Sequence, residues 1–298
     1  MSLKYKHSLP SEIRSLQRKA LLRQKIRPRV KGISFNRMIP NLLTMLGLCA
    51  GLVAIRSAIN GHFDESVIAI LIATCFDGLD GRIARLLRAT SRFGAEFDSL
   101  ADFLSFGVAP SFVLYLWALQ DTGRYAFVPC VFFSVCMALR LARFNADIDN
   151  KEKPKYASNF FTGVPAPAGA LVALFPIFLG LEGLKLQWPF LISFAKIPLL
   201  TIIILVGTAC LLISTLPVWS FKNFKVPSSS VLPLLLGTGI YAATLVADPW
   251  GTLAVTGLLY IGLLPFSCRS FLSLKADADK IKKETSTEED EPMKELTN

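Results

Sequence analysis

The sequence predicts an all-α fold, a polytopic helix bundle embedded in a membrane, and three observations carry that prediction. Of 298 residues, 52% are hydrophobic and the mean hydropathy is +0.48, well above the balance of a water-soluble domain. Between Ile39 and Phe266 apolar stretches recur between short polar breaks. Each is about 20 residues long, the length a helix rising roughly 1.5 Å per residue needs to cross about 30 Å of hydrocarbon. The third observation is the side on which the basic residues fall. The alternating ten-residue segments of a membrane β-barrel are absent.

Eight spans follow in order, over residues 39–58, 63–81, 97–118, 125–146, 164–182, 196–216, 229–247 and 250–268, with Pro and Gly blurring their edges. The net charge of +10 is explained by where the charges stand. Residues 1–38 hold eleven Lys or Arg against the single acid Glu12. The breaks with Arg82, Arg85, Arg88 and Arg92, with Arg140, Arg143, Lys151, Lys153 and Lys155, and with Lys222 and Lys225 are also basic. In an eight-span topology all of them share the side of the N-terminus. The opposite breaks hold only Arg56, Arg124, Lys185 and Lys196. The positive-inside rule therefore places both termini in the cytoplasm, and the charge points to a membrane surface with no nucleic-acid partner.

The chain divides into a basic cytoplasmic segment 1–38, a membrane domain 39–270 and a charged tail 271–298. Within the first, Ile13, Leu16, Ala20 and Leu21 recur at helical spacing beside Arg14, Arg18, Arg23 and Lys25. That pattern fits an interfacial helix on anionic lipids; the alternative is a solvated basic tail that only sets topology. Residues 275–298 are rich in charge and free of aromatics, a composition that cannot bury enough apolar surface to fold, so a disordered tail is expected. Cys49, Cys75, Cys130, Cys136, Cys210 and Cys268 lie in or beside apolar spans with no CxxC pair, as structural thiols do. No cleaved signal peptide is expected, and no internal repeat of the transporter kind is visible.

The chemistry concentrates in Asp77-Gly-Leu-Asp80-Gly81-Arg-Ile-Ala84-Arg85, then eight residues, then Gly94-Ala-Glu-Phe-Asp98-Ser-Leu-Ala-Asp102. A charge at the bilayer centre costs about 2.5–3.5 kcal/mol on insertion scales, so four acids at or inside membrane boundaries need compensation. Asp77 and Asp80 are three apart and Asp98 and Asp102 four apart, so each pair projects from one helix face. Two such faces meeting across a short turn make a cluster of oxygen ligands, and a hard divalent cation such as Mg²⁺ or Mn²⁺ removes their mutual repulsion. Neither His7 nor His62 stands near this stretch in the sequence. Gly78, Gly81, Ala84, Gly94, Ala95 and Ala101 allow backbones and a bulky phosphate to approach. Arg85, on the face of the acids, suits a diphosphate, whereas Arg82, Arg88 and Arg92 read as boundary anchors.

The spacing D-x-x-D-G-x-x-A-R-x8-G-x-x-x-D-x-x-x-D resembles the signature of the CDP-alcohol phosphotransferase family at every fixed position. The resemblance implies that Asp77, Asp80, Asp98 and Asp102 hold a two-metal centre of Mg²⁺ or Mn²⁺. It further implies that Asp98 and Asp102 are catalytic, Asp102 as base, and that Gly81, Ala84, Arg85 and Gly94 contact the CDP-lipid. Asn41 and Thr44, in Pro40-Asn41-Leu-Leu-Thr44, resemble the family's cytidine-side element. A six-helix core around the site and a homodimer are implied as well, with two of the eight spans as additions.

Residues 103–114, 139–145 and 160–168 resemble the phosphatidylserine synthase branch, so the likeness extends over residues 37–270, with Val164 departing where a Leu is usual. That branch implies transfer of the phosphatidyl group from CDP-diacylglycerol to L-serine with release of CMP. Arg140, Arg143 and Asn145 could bind serine or act as boundary anchors. Choline, glycerol phosphate or inositol phosphate remain open as acceptors. A cation transporter is the distant alternative, although transporter acids are usually spread through the membrane depth. The expected location is the bacterial inner membrane with the site on the cytoplasmic side.

Overall fold

Helices α1 (Met38–Ile59) and α2 (Phe63–Leu86) form an antiparallel hairpin, and everything that positions the acids is built against it. The structure is a computed structural model that describes residues 38–148, 160–214, 217–219, 228–267 and 269–270. The basic N-terminal segment, the tail after Ser270 and the loop lysines 151, 153, 155, 222 and 225 lie outside the described residues. The α1–α2 turn passes through Gly61 at φ 80°, a left-handed conformation that a residue without Cβ adopts freely.

After a five-residue link, α3 runs over Arg92–Leu119. Ser91 caps its start, the hydroxyl accepting from the Gly94 amide at 3.0 Å. The α-helical turns are interrupted by π-helical stretches at Phe103–Val108 and Tyr115–Leu119. Pro110 lies just beyond the first. Its ring displaces the carbonyl one turn back and leaves it no N–H to meet, and a widened turn absorbs that misfit. α4 (Val128–Ile148) packs against this widened segment.

The remaining chain comprises α5 (Ala166–Ala173), α6 (Phe175–Lys185), α7 (Pro189–Ala195), α8 (Pro198–Ile213), α9 (Ser228–Ala247) and α10 (Pro249–Ser267). α5 and α6 meet at a 47° bend, which breaks the expected span 164–182; α7 and α8 meet at a 52° bend, and the expected span 196–216 corresponds to α8 with α7 ahead of it. Pro176 and Pro198 stand just after the two breaks, where a missing N–H ends one helix and starts the next. A short antiparallel pair, β1 (Phe160–Thr162) with β2 (Pro217–Trp219), joins the segment before α5 to the one after α8. Gly163 follows β1 at φ 82°, with the Ser214 carbonyl and the Arg143 guanidinium in the space a Cβ would need.

Among the described residues five helices are long and apolar enough to cross a membrane singly: α1, α3, α4, α9 and α10. The two bent pairs qualify jointly. The eighth expected span is α2, long enough at 24 residues but carrying Asp64, Glu65, Asp77, Asp80, Arg82 and Arg85. The eight expected spans thus correspond to eight helical units. α2 continues past the expected edge at 81 to Leu86, and α3 begins at Arg92 ahead of the expected 97. Both extensions carry charged residues, which a hydropathy reading takes as boundary.

A core of Phe106, Phe133, Met137, Phe178, Leu205 and Leu212 lies between α3, α4, α6 and α8. Outward, Leu42, Leu46, Leu52, Val53, Phe132, Val135, Ile203 and Leu232 are exposed, and no residue of Ser230–Ala247 is buried. Apolar surface on this scale is the coat of an integral membrane protein. At the end of α2 remote from the acids, Phe63 meets Trp117 edge-on with ring centroids 4.9 Å apart. The Trp117 indole donates to the Ala195 carbonyl at 3.1 Å, as interfacial aromatics do. Nearby Lys185 donates to Asp248 at 2.9 Å and keeps that carboxyl below its usual range, tying α10 to α6. The five described cysteines are free thiols.

Candidate metal and CDP-lipid site

The acids collect where the start of α1, the end of α2, the start of α3 and the end of α4 meet. Each helix reaches this end in alternate direction, so one face of the bundle gathers residues far apart in sequence. Ligand oxygens of Asp77, Asp98 and Asp102 all lie within 4.8 Å of one another. Asp80 completes the set and is nearly fully buried. Its Oδ2 accepts from the Thr44 hydroxyl at 2.6 Å, a charge-assisted bond across α1 and α2, with the Pro40 carbonyl as that hydroxyl's alternative acceptor. Across α2 and α3, Asp77 comes within hydrogen-bonding reach of Asp102, and Asp80 within reach of Asp98.

Carboxylates so close cannot all stay ionised without a counter-charge. The set is all oxygen, with no thiol or imidazole beside it among the described residues; His62 stands at the other end of α2, against Glu65. These donors fit a hard divalent cation and would suit a soft metal poorly. They line a cavity of about 10 Å³ together with Thr44, Gly47, Ala73, Ala101, Ser105 and Phe106. Such a space is near the smallest that holds one water-sized body.

Packing brings the walls this close. Ser105, in the first π-helical stretch, donates to the Gly47 carbonyl at 3.2 Å, and a Cβ on Gly51 would come within 3.0 Å of the Ser105 Cα. Gly51 thus admits α3, whereas a Cβ on Gly47 would meet Phe76 and the Ala73 carbonyl of α2, at 3.5 and 3.8 Å. Gly81 behaves differently. A Cβ there would find only the Arg85 guanidinium, at 4.0 Å, and one on Gly78 would find nothing within 4 Å. Gly94 sits against the Asn41 side-chain oxygen, 3.0 Å from where its Cβ would stand, so the two expected CDP-side residues meet across α1 and α3. Ala84 follows Gly81 on the same face of α2. Arg85 is exposed, its Nε donating to the Gly81 carbonyl at 3.0 Å.

Of the residues considered for the acceptor, Arg140 and Asn145 lie by the acids and Arg143 is turned away. The Arg140 Nε donates to the Val164 carbonyl at 2.7 Å, and its charge acts on both Asp102 and Asp77. Asn145 exchanges hydrogen bonds with Ser99, at 2.9 and 3.2 Å, next to Asp98. Arg143 donates to the carbonyls of Ile213 and Ser214 at 2.8 and 3.2 Å, satisfying groups that the end of α8 leaves unpaired. Ser99, Ser105 and the Val164 carbonyl were not singled out in the sequence. A serine in an apolar helix carries no signal until its neighbours are known, although Ser99, one residue after Asp98, lay inside the motif.

A membrane-embedded helix bundle with an all-oxygen acid cluster at one end is the class defined by this geometry. The chain matches the family described as CDP-alcohol phosphatidyltransferase over residues 37–207, and that described as CDP-alcohol phosphatidyltransferase 2 over residues 230–265. It is 39% identical over 241 residues to the CDP-diacylglycerol–serine O-phosphatidyltransferase of Mycobacterium leprae, covering 81% of this chain and 78% of that protein. Against the Helicobacter pylori protein of the same name the figures are 35% over 188 residues, 63% of this chain and 74% of the relative. The Saccharomyces cerevisiae relative of that name is 34% identical over 148 residues, 47% of this chain and 53% of its own. The chain belongs to the CDP-alcohol phosphatidyltransferase family, whose members generally use divalent metal ions.

Proposed function

We propose that this protein is a phosphatidylserine synthase, transferring the phosphatidyl group of CDP-diacylglycerol to the hydroxyl of L-serine and releasing CMP. The observation that carries the chemistry is the convergence of Asp77, Asp80, Asp98 and Asp102 from two helices at one end of the bundle. The choice of acceptor is supported by relatives of that activity aligned over most of the chain.

In this reading Asp77, Asp80, Asp98 and Asp102 would hold two divalent ions, Mg²⁺ or Mn²⁺, which would supply charge neutralisation to the diphosphate and the departing CMP. The open face at Gly78, Gly81 and Ala84 receives the CDP moiety, with Asn41, Thr44 and Gly94 on the opposite wall and Arg85 swinging from its own helix to the diphosphate. Thr44 holds the Asp80 carboxylate in place. The serine hydroxyl attacks the lipid-side phosphorus, and Asp102 accepts its proton as the new P–O bond forms. The P–O bond to CMP then breaks, and no covalent enzyme intermediate is required. Acyl chains remain in the bilayer while the head group reacts at the boundary. Arg82, Arg85, Arg88 and Arg92 share this end, which supports a cytoplasmic site in a bacterial inner membrane.

Asp98→Asn tests the assignment. The amide keeps the volume but removes the anionic ligand, so CMP release should fall to background while the thermal unfolding profile is kept. Near-normal CMP release from this variant would refute the metal role of the cluster.

A further inference from the structure

Tyr260, on α10, carries a side chain that neither the motif nor the six-helix core accounts for. Its hydroxyl is shielded from solvent and has no hydrogen-bond partner among the described residues. A buried phenol without a partner costs free energy unless something absent from the resting protein uses it. Tyr260 lies within electrostatic range of Arg140, whose charge in turn reaches Asp102 and Asp77. Among the described residues, Nε is the only Arg140 nitrogen that hydrogen-bonds, and it is held by the Val164 carbonyl. The two terminal nitrogens make no hydrogen bond among the described residues. Position along the helices agrees: Tyr260 precedes the end of α10 by seven residues and Arg140 precedes the end of α4 by eight.

We propose that Tyr260 and Arg140 form the carboxylate-binding wall of the acceptor site, so that α10 supplies a specificity-determining residue to chemistry carried by α2 and α3. The inference rests on the phosphatidylserine synthase reading and deepens it. In serine the hydroxyl and the carboxylate are separated by two carbon atoms. An acceptor whose hydroxyl faces Asp102 must therefore place its carboxylate close by, on the side where Arg140 stands. Arg140 supplies charge and paired donors, and Tyr260 supplies one neutral donor that fixes orientation. Choline lacks the carboxylate and has no use for this pair.

Tyr260→Phe removes a single oxygen and keeps the ring that packs on the core. CMP release would be measured against serine concentration and, separately, against CDP-diacylglycerol concentration. The KM for serine should rise about 10- to 100-fold, the worth of a hydrogen bond to a charged group. The KM for CDP-diacylglycerol and kcat should stay within about twofold. Serinol, in which a hydroxymethyl group replaces the carboxylate, should be used equally by both proteins. Because the lost hydroxyl has no partner among the described residues, thermal stability should be unchanged or raised. An unchanged KM for serine, an equal loss with serinol, or a fall in stability would each overturn the proposal. Absence of serine-dependent CMP release from the unsubstituted protein would overturn the function on which it rests.

Discussion

Gly81→Ala separates packing from substrate access, because the two make opposite demands at this position. Glycine inside a helix is unfavourable relative to alanine by about 0.8–1.0 kcal/mol. The added methyl would meet no protein atom nearer than the Arg85 guanidinium at 4.0 Å, so no steric penalty offsets that gain. The variant should unfold at a temperature equal to the parent's or a few degrees higher, at about 2–4 °C per kcal/mol for a chain of this size. Activity should move the other way. The methyl points from the face that carries Asp77, Asp80 and Ala84, where the nucleotide is expected to lie. Overpacking a close contact costs about 1–3 kcal/mol, which lowers kcat/KM for CDP-diacylglycerol roughly 5- to 150-fold. The assay is CMP release in mixed micelles over a range of CDP-lipid, paired with thermal unfolding in the same detergent. A more stable variant with unchanged kcat/KM would refute the placement of the nucleotide on this face. A less stable one would show that the glycine serves packing after all.

Two further substitutions test how the walls are held. Gly51→Ala drives a methyl to within 3.0 Å of the Ser105 Cα, so α1 and α3 must part; a loss of about 1–3 kcal/mol is expected in thermal unfolding, whereas Gly78→Ala, facing open space, should unfold like the parent. Arg143→Gln leaves the Ile213 and Ser214 carbonyls without their guanidinium, a destabilisation of about 1–3 kcal/mol, while the KM for serine stays unchanged if Arg143 is structural; a selective rise in that KM would return it to the acceptor site.

Much of this was legible in the amino-acid sequence, and for definite reasons. Span length reports bilayer thickness, so eight helical units could be counted. The three- and four-residue spacings of the aspartates identify two helix faces, and those faces do meet. Composition does not report bends. Pro176 lies inside an apolar run whose hydropathy is uninterrupted, so one broken span reads as continuous, while α7, set off from α8 by Lys196 and Pro198, falls outside the expected span 196–216. The widened turn after Asp102 depends on Pro110 and on the packing of Phe106 and Met137, which only the assembled helices define. β1 and β2 are three residues each and 55 apart at their nearest pair, Thr162 and Pro217, too short for a period to register. Arg140 and Arg143, three apart on α4, were equivalent candidates in the sequence. They differ because one faces the acids and the other the end of α8. Tyr260 was invisible for a related reason: a tyrosine in an apolar helix looks like packing until its hydroxyl is found without a partner.

The most direct test is CMP release by the detergent-purified full chain given CDP-diacylglycerol, with Mg²⁺ or Mn²⁺ or with EDTA, and with serine, choline, glycerol phosphate or inositol phosphate in separate reactions. The account predicts release with serine alone, abolished by EDTA and restored by excess Mg²⁺ or Mn²⁺. Metal-dependent release with a different acceptor would contradict the assignment of serine. Release that survives EDTA would contradict the role given to the four aspartates.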